Sequence, residues 1–504
     1  MGIDLSLLVP EIATCALALA VLGLDLIWPR LGGKKLGIIT ALGAASILLT
    51  TFLRRGVTGA TFGGLYLADD YAVFFRLIFL IAVTLVSLLS ADFVERELRR
   101  PGEWYALLLF STTGFMLMAA AGDLLTLYLG LELGTISLYP LAGYLKRQLS
   151  RPEGRHGGPH AADLAARSGE AGLKFMIIGA VSSATLLYGI SLVYGAVGTT
   201  AFAGLREGLR QVGVSFNLGW GLVLPQAPLA LGIAFIIAGF SFKMVAAPFH
   251  MWAPDVYHGA PTPITAYLSV ASKCAGFAVV GRVFLGPLLA AASQWWLVLA
   301  ALSFASMFYG NVVAIPQTNI KRMLAYSGIA QAGYILVGLT AVSRFGAASA
   351  LFYLLQYTFT NIGAFIVVTV VAQETGREDI AVYRGLSRRS PALGFALLLL
   401  FLSLGGIPPL AGFWAKLYVF AAGIQQHLWW LVTLGVLTTV VSLYYYLMVI
   451  KQVYIFDPVD VSPIAIPRPA AVALFICVIA ILLLAYPRPV LSLADAAVRA
   501  FFGG

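Results

Sequence analysis

Long apolar runs limit what this chain can fold into. A helix that crosses a bilayer needs about 20 apolar residues, and about fourteen runs of that length follow one another through the sequence. Of the 504 residues, 60% are hydrophobic and 11% are charged, which excludes an ordinary soluble domain. We therefore predict an all-α polytopic membrane protein with about fourteen transmembrane helices.

The basic residues indicate how the predicted spans are oriented. A formal net charge of +10 is typical of some nucleic-acid-binding proteins, but here the positive charges are scattered over short connections. Of the 32 lysines and arginines, we assign 19 to odd-numbered connections, 8 to even-numbered connections or the C-terminal tail, and 5 to spans. The positive-inside rule then places the odd-numbered connections in the cytoplasm and both termini on the outer side. We expect a lipid bilayer and no nucleic acid as partner.

Two predicted spans contain helix-breaking residues near their middle. The seventh contains KMVAAPFHMWAPDVY, starting at Lys243, and the twelfth contains SLGGIPPLAGFWAKLY, starting at Ser403. Proline removes a backbone donor, and a broken backbone at membrane depth is tolerated only inside protein or beside water. Helices 7 and 12 are therefore predicted to be discontinuous and to line a pathway.

The two broken segments also share a register. Four residues of the first broken segment have similar or aligned residues 161 positions later in the second. Chance, together with the helix-breaking composition of both segments, also explains such a match. Broken helices at matched positions of two halves are typical of inverted-repeat transporters, so we predict two inverted five-helix repeats. The matched pairs are Pro248 and Pro409, Trp252 and Phe413, Asp255 and Lys416, and Tyr257 and Tyr418. The predicted units are helices 1–3 (residues 1–100), a first repeat of helices 4–8 (101–285), a second repeat of helices 9–13 (294–452), and helix 14 with the tail (453–504).

Four charged residues lie deep within predicted spans: Glu132, Lys243, Lys273 and Lys416. A charge at the centre of a span costs about 2.5 to 3.5 kcal/mol on insertion scales, so we expect these side chains to be buried and to face the interior, water or one another. A buried ion pair is the structural alternative, but three lysines exceed what one glutamate can neutralise. Desolvation in general lowers the pKa of a lysine, and a nearby carboxylate raises it again. The set therefore predicts a proton relay.

Other polar residues in or beside the spans have weaker assignments. Lys174, near the start of the sixth span, is equally consistent with snorkelling to the interface and with an accessory role. For Arg76 we expect snorkelling, and Glu11 is expected to be an acid near the interface. His250 and His258 flank WAPDVY, where a proton-inlet role competes with simple packing.

The sequence offers no site for a cofactor or a metal. Cys15, Cys274 and Cys477 each stand alone in an apolar run, without the spacing of zinc or iron-sulfur ligands. Phosphate-binding loops, dinucleotide fingerprints and haem-attachment motifs are also missing in a plausible context. The hydrophilic stretch from Lys146 to Glu170 is predicted to be a mobile cytoplasmic loop. The stretch from Thr199 to Gln226 is mildly amphipathic and is placed on the outer surface.

Four strings of this sequence carry a family resemblance: EAGLKFMIIGAVSSATLLYGISLVYG, FKMVAAPFHMWAPDVYHGAPTPITAYLSVASK, IKRMLAYSGIAQAGY and SLGGIPPLAGFWAKLYVF. With these strings, and over nearly its full length, the chain closely resembles the subunit N family. These proteins are antiporter-like subunits of proton-translocating NADH-quinone oxidoreductase, respiratory complex I, and the family includes cyanobacterial and plastid relatives. The resemblance implies a fourteen-helix subunit of the membrane arm, with a half-channel in each of two inverted repeats.

The resemblance also implies roles for the buried charges. Glu132 and the three lysines would form a polar chain, with Lys243 as the charge-coupled site of the first repeat, Lys273 as the connecting site and Lys416 as the site of the second repeat. A lysine at 416 argues against the sister subunit M, which typically has glutamate there. The absence of a long lateral C-terminal helix argues against subunit L.

Two positions depart from the family pattern. Gln331 stands where many relatives have a histidine, so bound water would have to bridge the relay there. His258 stands where acids are common, which implies a different pH dependence at the inner entrance.

The resemblance implies partners and cofactors outside this chain. The partners would be other membrane-arm subunits, including neighbouring antiporter-like subunits, in a bacterial cytoplasmic membrane. Flavin, iron-sulfur clusters and quinone would belong to other subunits, and electron transfer there would be coupled to proton translocation here. Two alternatives stay open. The chain could belong to a multi-subunit sodium/proton antiporter or membrane-bound hydrogenase, or it could be a spacer that moves no protons.

Overall fold

Helices make up nearly all of the regular structure, because a backbone in hydrocarbon must satisfy its own hydrogen bonds. The computed structural model describes residues 3–147, 159–212 and 227–502. The α-helices of the first half are α1 Val9–Ile27, α2 Gly33–Leu53, α3 Asp70–Glu97, α4 Pro101–Ala119, α5 Leu124–Ile136, α6 Leu138–Ala142, α7 Pro159–Val197, α8 Phe202–Val212, α9 Ala227–Met244, α10 Trp252–Gly259, α11 Thr262–Tyr267 and α12 Lys273–Phe284.

The second half continues the bundle after a short 3₁₀ turn. Its helices are α13 Ala292–Ala314, α14 Ile320–Thr340, α15 Arg344–Thr375, α16 Leu386–Arg389, α17 Pro391–Gly405, α18 Ala411–Gln425, α19 Trp429–Tyr454, α20 Arg468–Leu483 and α21 Arg488–Val498. A π-helical turn, Leu268–Ser272, joins α11 to α12. One antiparallel hairpin, β1 Gly59–Thr61 and β2 Tyr66–Ala68, connects α2 to α3.

The prediction of an all-α polytopic membrane protein is confirmed. Ten helical segments in the described part of the chain are long and apolar enough to cross a membrane, or eleven if the bent pair formed by Arg468–Leu483 and Arg488–Phe501 counts as one span. Two further apolar helices, Pro228–Met244 and Pro391–Gly405, are shorter because their spans are broken. The total of fourteen spans remains a prediction.

The odd-numbered connections meet at one end of the bundle, which we call the basic end. There Arg96, at the end of α3, lies 3.2 Å from Glu374, at the end of α15. The opposite end contains the even-numbered connections and α21, where Arg344 forms an ion pair with Asp495. The positive-inside rule predicts that the basic end is cytoplasmic.

The prediction that helices 7 and 12 are discontinuous is confirmed, and the two helices run in opposite directions. The seventh approaches the basic end through α9 and α10, whereas the twelfth leaves it through α17 and α18. The first half of each ends at a residue with a left-handed backbone, Val245 with φ 60° and Gly406 with φ 83°. The opposite directions agree with inverted repeats. The boundaries of the repeats remain a prediction.

Two connections contain more helix than predicted. Helix α7 begins at Pro159, so the prediction of a loop from Lys146 to Glu170 is wrong from residue 159 onward. The reason is local, because proline is well tolerated in the first helical turn and the following HAADLAAR is rich in good helix formers. Residues 148–158 lie outside the described part. In the stretch from Thr199 to Gln226, α8 is observed, and residues 213–226 lie outside the described part.

The expectation that Arg76 snorkels is wrong. Its guanidinium is buried, lies 2.7 Å from the carboxylate of Glu11 and contacts the hydroxyl of Tyr66. Glu11 is also buried, in the first turn of α1, and its position near the interface remains a prediction. The pair joins α1 to α3, because α3 is covered on most sides by other helices and leaves the arginine no path to the surface.

Removing one member of this pair should destabilise the protein. We expect Glu11→Ala to lower the free energy of unfolding by about 3 to 5 kcal/mol, because it leaves the buried guanidinium without its counter-charge. Thermal unfolding of the purified protein measures this change. Glu103→Ala, which removes the partner of the exposed Arg100, is the control and should change little. Restored stability in the double variant Glu11→Leu, Arg76→Met would agree with this account, and a stable Glu11→Ala single variant would contradict it.

Candidate functional site

The buried cations of the described residues fall into two groups that differ in their partners. The members of the first group each contact a carboxylate, namely Arg76 with Glu11, Arg282 with Asp69 at 2.9 Å and Lys321 with Glu378 at 3.0 Å. The second group has no carboxylate oxygen within 4 Å in the described part of the chain, and it consists of Lys243, Lys273 and Lys416. The first group is explained by structural pairing. The second group is the lysine set predicted to carry protons.

Lys243 lies in the last turn of α9, directly before the first helix break. Its Nζ donates to the Thr135 hydroxyl of α5 at 2.6 Å. Gly276 of α12 allows this part of α9 to pack closely, since an added Cβ there would lie 2.7 Å from the backbone nitrogen of Met244. The amine is therefore fixed between α5 and α12 and bonded to a neutral oxygen.

Glu132, the predicted acid of the relay, is less buried in the structure than the sequence predicts. It is only half-buried, because α5 turns this face away from the bundle, with the exposed Leu129 and Leu133 beside it. Its carboxylate accepts a hydrogen bond from the Ser183 hydroxyl of α7. Glu132 and Thr135 are three residues apart and so share a face of α5. The acid thus lies next to the hydroxyl that holds Lys243, without an ion pair.

Lys273 is fully buried at the point where the π-helical turn ends. Such turns are rare and occur frequently at functional sites. The Nζ donates to the Gly328 carbonyl of α14 at 2.7 Å and to the Tyr357 hydroxyl of α15 at 3.1 Å. A Cβ on residue 328 would lie 2.7 Å from this nitrogen, so a side chain at this position would make the lysine amine move from its place at the carbonyl.

Lys416 lies in α18, just after the second helix break. Its Nζ donates to the Gly405 carbonyl at 3.2 Å, where α17 ends, and lies 4.6 Å from the centre of the Tyr334 ring. The last carbonyls of a helix lack backbone partners and carry partial negative charge, which stabilises a cation there. Gly406 supplies the positive φ that ends α17, and its missing side chain leaves room for the lysine stem.

The two broken helices place their lysines on the same side of the breaks. Lys243 precedes its break and Lys416 follows its own, but the two helices run in opposite directions. Both residues therefore belong to the half-helix that is remote from the basic end, and the Lys416 amine reaches back to the Gly405 carbonyl at the break. This explains why the two lysines do not match in the shared register of 161 residues.

Gln331 occupies a cluster of neutral polar groups between α14, α15 and α19. Its amide donates to the Leu404 carbonyl at 3.1 Å and lies 3.4 Å from the Tyr446 hydroxyl, and it accepts from Tyr353. Leu404 and Gly405 are neighbours in sequence, so Gln331 and Lys416 bind adjacent carbonyls at the end of α17. The glutamine thus links α14 to the second broken helix through direct hydrogen bonds.

Lys174 belongs to an ionic cluster at the basic end. It lies 2.9 Å from Asp255 of α10, which also contacts Arg322 of α14 at 2.9 Å. The same Lys174 contacts Glu170 at 2.7 Å. The amine therefore forms salt bridges at the surface and is no part of the buried set.

The two predicted histidines have different surroundings. His250 lies in the first break and packs against the ring of Tyr309 at 4.6 Å, and its Nδ1 has no hydrogen-bond partner among the described residues. His258 lies at the basic end, 4.0 Å from the carboxylate of Glu378 and 3.3 Å from the guanidinium of Arg167. Neither histidine contacts one of the three unpaired lysines.

The sequence does not mark several of the residues that contact the buried charges. The neutral groups that accept hydrogen bonds from the lysines belong to Thr135, Gly328, Tyr357 and Gly405. In addition, the ring of Tyr334 contacts the Lys416 amine, and the Ser183 hydroxyl donates to Glu132. Their only signal was a hydroxyl or glycine inside an apolar run, which is common in spans. Among the described residues, no group of three or more histidine, cysteine, aspartate or glutamate side chains is placed to hold a metal ion.

Replacing the unpaired lysines with methionine should stabilise the protein. We expect Lys416→Met to raise the free energy of unfolding by about 1 to 4 kcal/mol, because it removes a buried polar group that no acid compensates. Lys321→Met is the matched control and should lower it, since Glu378 loses its buried partner. Thermal unfolding of both variants checks this contrast. Equal destabilisation by the two substitutions would show that Lys416 is a structural residue.

Comparisons with known proteins place the chain in a family. Residues 161–442 match the family described as NADH:quinone oxidoreductase/Mrp antiporter, TM. NADH-quinone oxidoreductase subunit N of Moorella thermoacetica is 42% identical over 501 residues, which cover 99% of this chain and 99% of that protein.

Two solved structures share the fold. A chain of respiratory complex I from Thermus thermophilus, with bound aureothin, has a TM-score of 0.77 and 31% identity and covers 96% of this chain and 99% of its own. A chain of the membrane-bound sulfane sulfur reductase, an archaeal respiratory membrane complex, has a TM-score of 0.81 and 24% identity and covers 98% and 97%, which supports the fold alone. The chain therefore belongs to the NADH:quinone oxidoreductase/Mrp antiporter family and, within it, to the subunit N group of NADH-quinone oxidoreductase.

Proposed function

We propose that this chain is a membrane-arm subunit of a proton-translocating NADH-quinone oxidoreductase and that its buried lysines pass protons across the membrane. The observation that carries the proposal is the contrast between paired and unpaired buried cations. Three lysines are buried without a carboxylate within 4 Å in the described residues, and each donates to a neutral oxygen. Such a group has no evident structural purpose, since an apolar side chain would be more stable there.

The chemistry follows from this environment. A buried ammonium without a counter-charge is unstable, so its proton is released readily when the local field changes. A neutral amine accepts a proton again when negative charge approaches or water enters. The neutral oxygens of Thr135, Gly328 and Gly405 hold each nitrogen in place in either state, because an amine and an ammonium both donate. Lys243, Lys273 and Lys416 act in this order along the proposed relay.

Glu132 controls the first member of the relay. Its carboxylate is held by Ser183 and faces partly outward, beside the hydroxyl that binds Lys243. A charge that reaches this face from a neighbouring subunit changes the electrostatic potential at Glu132 and then at Lys243. Gln331 and its tyrosines connect Lys273 to Lys416 without a titrating histidine. His250, His258 and Lys174 have accessory roles outside the line of lysines.

The wider assignments form part of the same proposal. The first repeat spans residues 101–285 and the second spans 294–452, the basic end is cytoplasmic, and both termini are on the outer side. The chain assembles with neighbouring antiporter-like subunits in a bacterial cytoplasmic membrane. Flavin, iron-sulfur clusters and quinone act in other subunits, and this chain carries the proton-translocating half of the coupling.

A sodium/proton antiporter subunit is the alternative that the family itself allows, because its description includes Mrp antiporters. The 42% identity with a subunit N over nearly the whole chain favours the oxidoreductase. Genes for iron-sulfur and flavin subunits beside the gene of this chain would support it. Antiporter genes alone would support the alternative.

Removal of a relay lysine is the direct test of the function. We expect Lys243→Ala to abolish donor-driven proton translocation in membrane vesicles while the complex still assembles, because the first repeat loses its proton-binding amine. Lys35→Ala, which removes an exposed lysine at the basic end, is the matched control and should retain translocation. Undiminished proton translocation in an assembled Lys243→Ala complex would identify the chain as a spacer.

Gly328 provides a second test that leaves every titrating group in place. We expect Gly328→Ala to slow proton translocation about tenfold, because the added Cβ displaces Lys273 from its carbonyl and removes one hydrogen bond. Gly195→Ala is the control, since an added Cβ there meets no atom within 4 Å. The rate of acidification in vesicles measures both. An unchanged rate in Gly328→Ala would show that this contact does not matter for the relay.

A further inference from the structure

We propose that a cavity at the basic end, between α13, α14 and α19, binds one phospholipid of the bilayer and selects a zwitterionic headgroup of the phosphatidylethanolamine type. We call it the α13–α19 cavity. The inference goes beyond the proposed function, because it assigns a lipid site and does not require any lysine to transfer protons. It rests on the position of the cavity, on the polarity of its walls and on one ion pair at its rim.

The α13–α19 cavity is large enough for a ligand and opens to the outside of the bundle. Its volume is about 420 Å³, which lies within the range of about 300 to 1,000 Å³ that is typical of small-molecule sites. Ile315, Tyr444 and Met448 line it and are 42%, 54% and 39% exposed. A molecule of the surrounding bilayer therefore has access to the cavity from the side.

The polarity of the lining changes along α19. Gln452 lies two residues before the last residue of this helix and Tyr444 lies ten residues before it, which is about 3 Å and about 15 Å along the axis at 1.5 Å per residue. The headgroup region on each side of a bilayer is about 5 to 8 Å thick. The polar rim is thus at the depth of headgroups, and the apolar wall is at the depth of acyl chains.

The inner wall of the cavity suits an acyl chain better than water. Ala314 and Met323 supply buried apolar atoms to it, and Tyr445 lines it as well. The Tyr445 hydroxyl donates to the Asn311 amide oxygen at 3.0 Å, so hydrocarbon against this wall leaves that hydroxyl with its partner. A bound water needs about two to four polar partners, which this wall does not offer.

An ion pair at the rim supplies groups for a headgroup. Arg377 donates to Oδ2 of Asp379 from Nε at 3.3 Å and from Nη2 at 3.0 Å. The two side chains are 66% and 47% exposed, and Nη1 and Oδ1 have no hydrogen-bond partner in the described part of the chain. A guanidinium donates to a phosphate, and a carboxylate accepts from a primary ammonium. One cation beside one anion therefore complements the two charges of phosphatidylethanolamine.

Asp379 is the residue that distinguishes between headgroups. Arg384, which contacts Gln452 at 3.2 Å, adds a second guanidinium near the rim and attracts the phosphate of any phospholipid. Phosphatidylglycerol brings that phosphate without an ammonium, so the carboxylate of Asp379 repels it. Phosphatidylcholine carries a quaternary ammonium that has no N–H to donate. Only the ethanolamine headgroup gives the carboxylate a hydrogen-bond donor and an opposite charge together.

The first experiment uses the unaltered, assembled complex in phosphatidylcholine vesicles. The probe is phosphatidylethanolamine with a photoreactive diazirine in its acyl chain, and mass spectrometry locates the labelled residues. We expect labelling of Tyr444 or Met448 above the level at Leu437 and Val440, which are exposed on α19 outside the cavity. Unlabelled phosphatidylethanolamine should displace the probe, and the same amount of phosphatidylglycerol should displace it about tenfold less effectively.

Three outcomes of this experiment overturn the inference. Equal labelling inside and outside the cavity would show ordinary contact with bulk lipid. Equal displacement by phosphatidylglycerol would show that the headgroup is not selected. Lack of labelling at Tyr444 and Met448 in the assembled complex would show that a neighbouring subunit, rather than a lipid, covers the cavity.

The second experiment tests the role of the carboxylate. We expect Asp379→Asn to reduce labelling by the phosphatidylethanolamine probe about tenfold and not to reduce labelling by a phosphatidylglycerol probe. Asp457→Asn is the matched control, because it removes the carboxylate of another exposed ion pair, with Arg388, outside the cavity. Equal loss of both probes in Asp379→Asn, or unchanged labelling by both, would overturn the assigned selectivity.

A third variant tests whether the lipid occupies the cavity itself. Met448→Trp adds bulk inside the cavity and should reduce labelling of Tyr444, whereas Leu447→Trp adds the same bulk at the neighbouring exposed position and should not. Unchanged labelling in Met448→Trp would overturn the site. None of these experiments measures proton translocation, so their failure would leave the proposed function untouched.

Discussion

The burial of lysine without a counter-charge is the constraint on which the structure depends. In the described part of the chain, every other buried lysine or arginine contacts a carboxylate, and the pairs Arg76 with Glu11 and Arg282 with Asp69 hold helices together. Lys243, Lys273 and Lys416 are tolerated because each donates to a neutral oxygen, of Thr135, Gly328 and Gly405 respectively. Each lysine also lies beside irregular backbone, at the first helix break, at the π-helical turn and at the second helix break. Irregular backbone and unpaired charge therefore occur together, as expected of a pathway.

The fold was predictable where the physical signal was local. Long apolar runs predict helices in a bilayer, and prolines at positions 248 and 409 predict the two breaks, which the structure confirms. Prediction failed where the outcome depended on distant contacts. The sequence does not show that α3 is enclosed by other helices, so it favours a position at the interface for Arg76 rather than an ion pair with Glu11. It also does not show that HAADLAAR extends α7 back to Pro159, since glycines and prolines nearby favour a loop.

The residues of the candidate site also differ in whether the sequence alone predicts them. Charged residues in apolar runs are conspicuous, and the three lysines were found for that reason. Glu132 was found too, but its half-exposed position depends on which face of α5 the neighbouring helices leave open. Gly328 and Tyr357 contribute through a carbonyl and a hydroxyl, groups that spans contain in large numbers. Their importance comes from their distance to Lys273, which only the three-dimensional structure supplies.

The account makes the three unpaired lysines carriers of protons, in an order that runs from the first broken helix to the second. The number of protons translocated for each quinone reduced, measured in vesicles that contain the assembled complex with Lys243, Lys273 and Lys416 all replaced by methionine, tests this claim most directly. The account predicts that the ratio falls below that of the unaltered complex while the subunits remain associated. A ratio equal to that of the unaltered complex would contradict it, because protons would then cross without any of these amines.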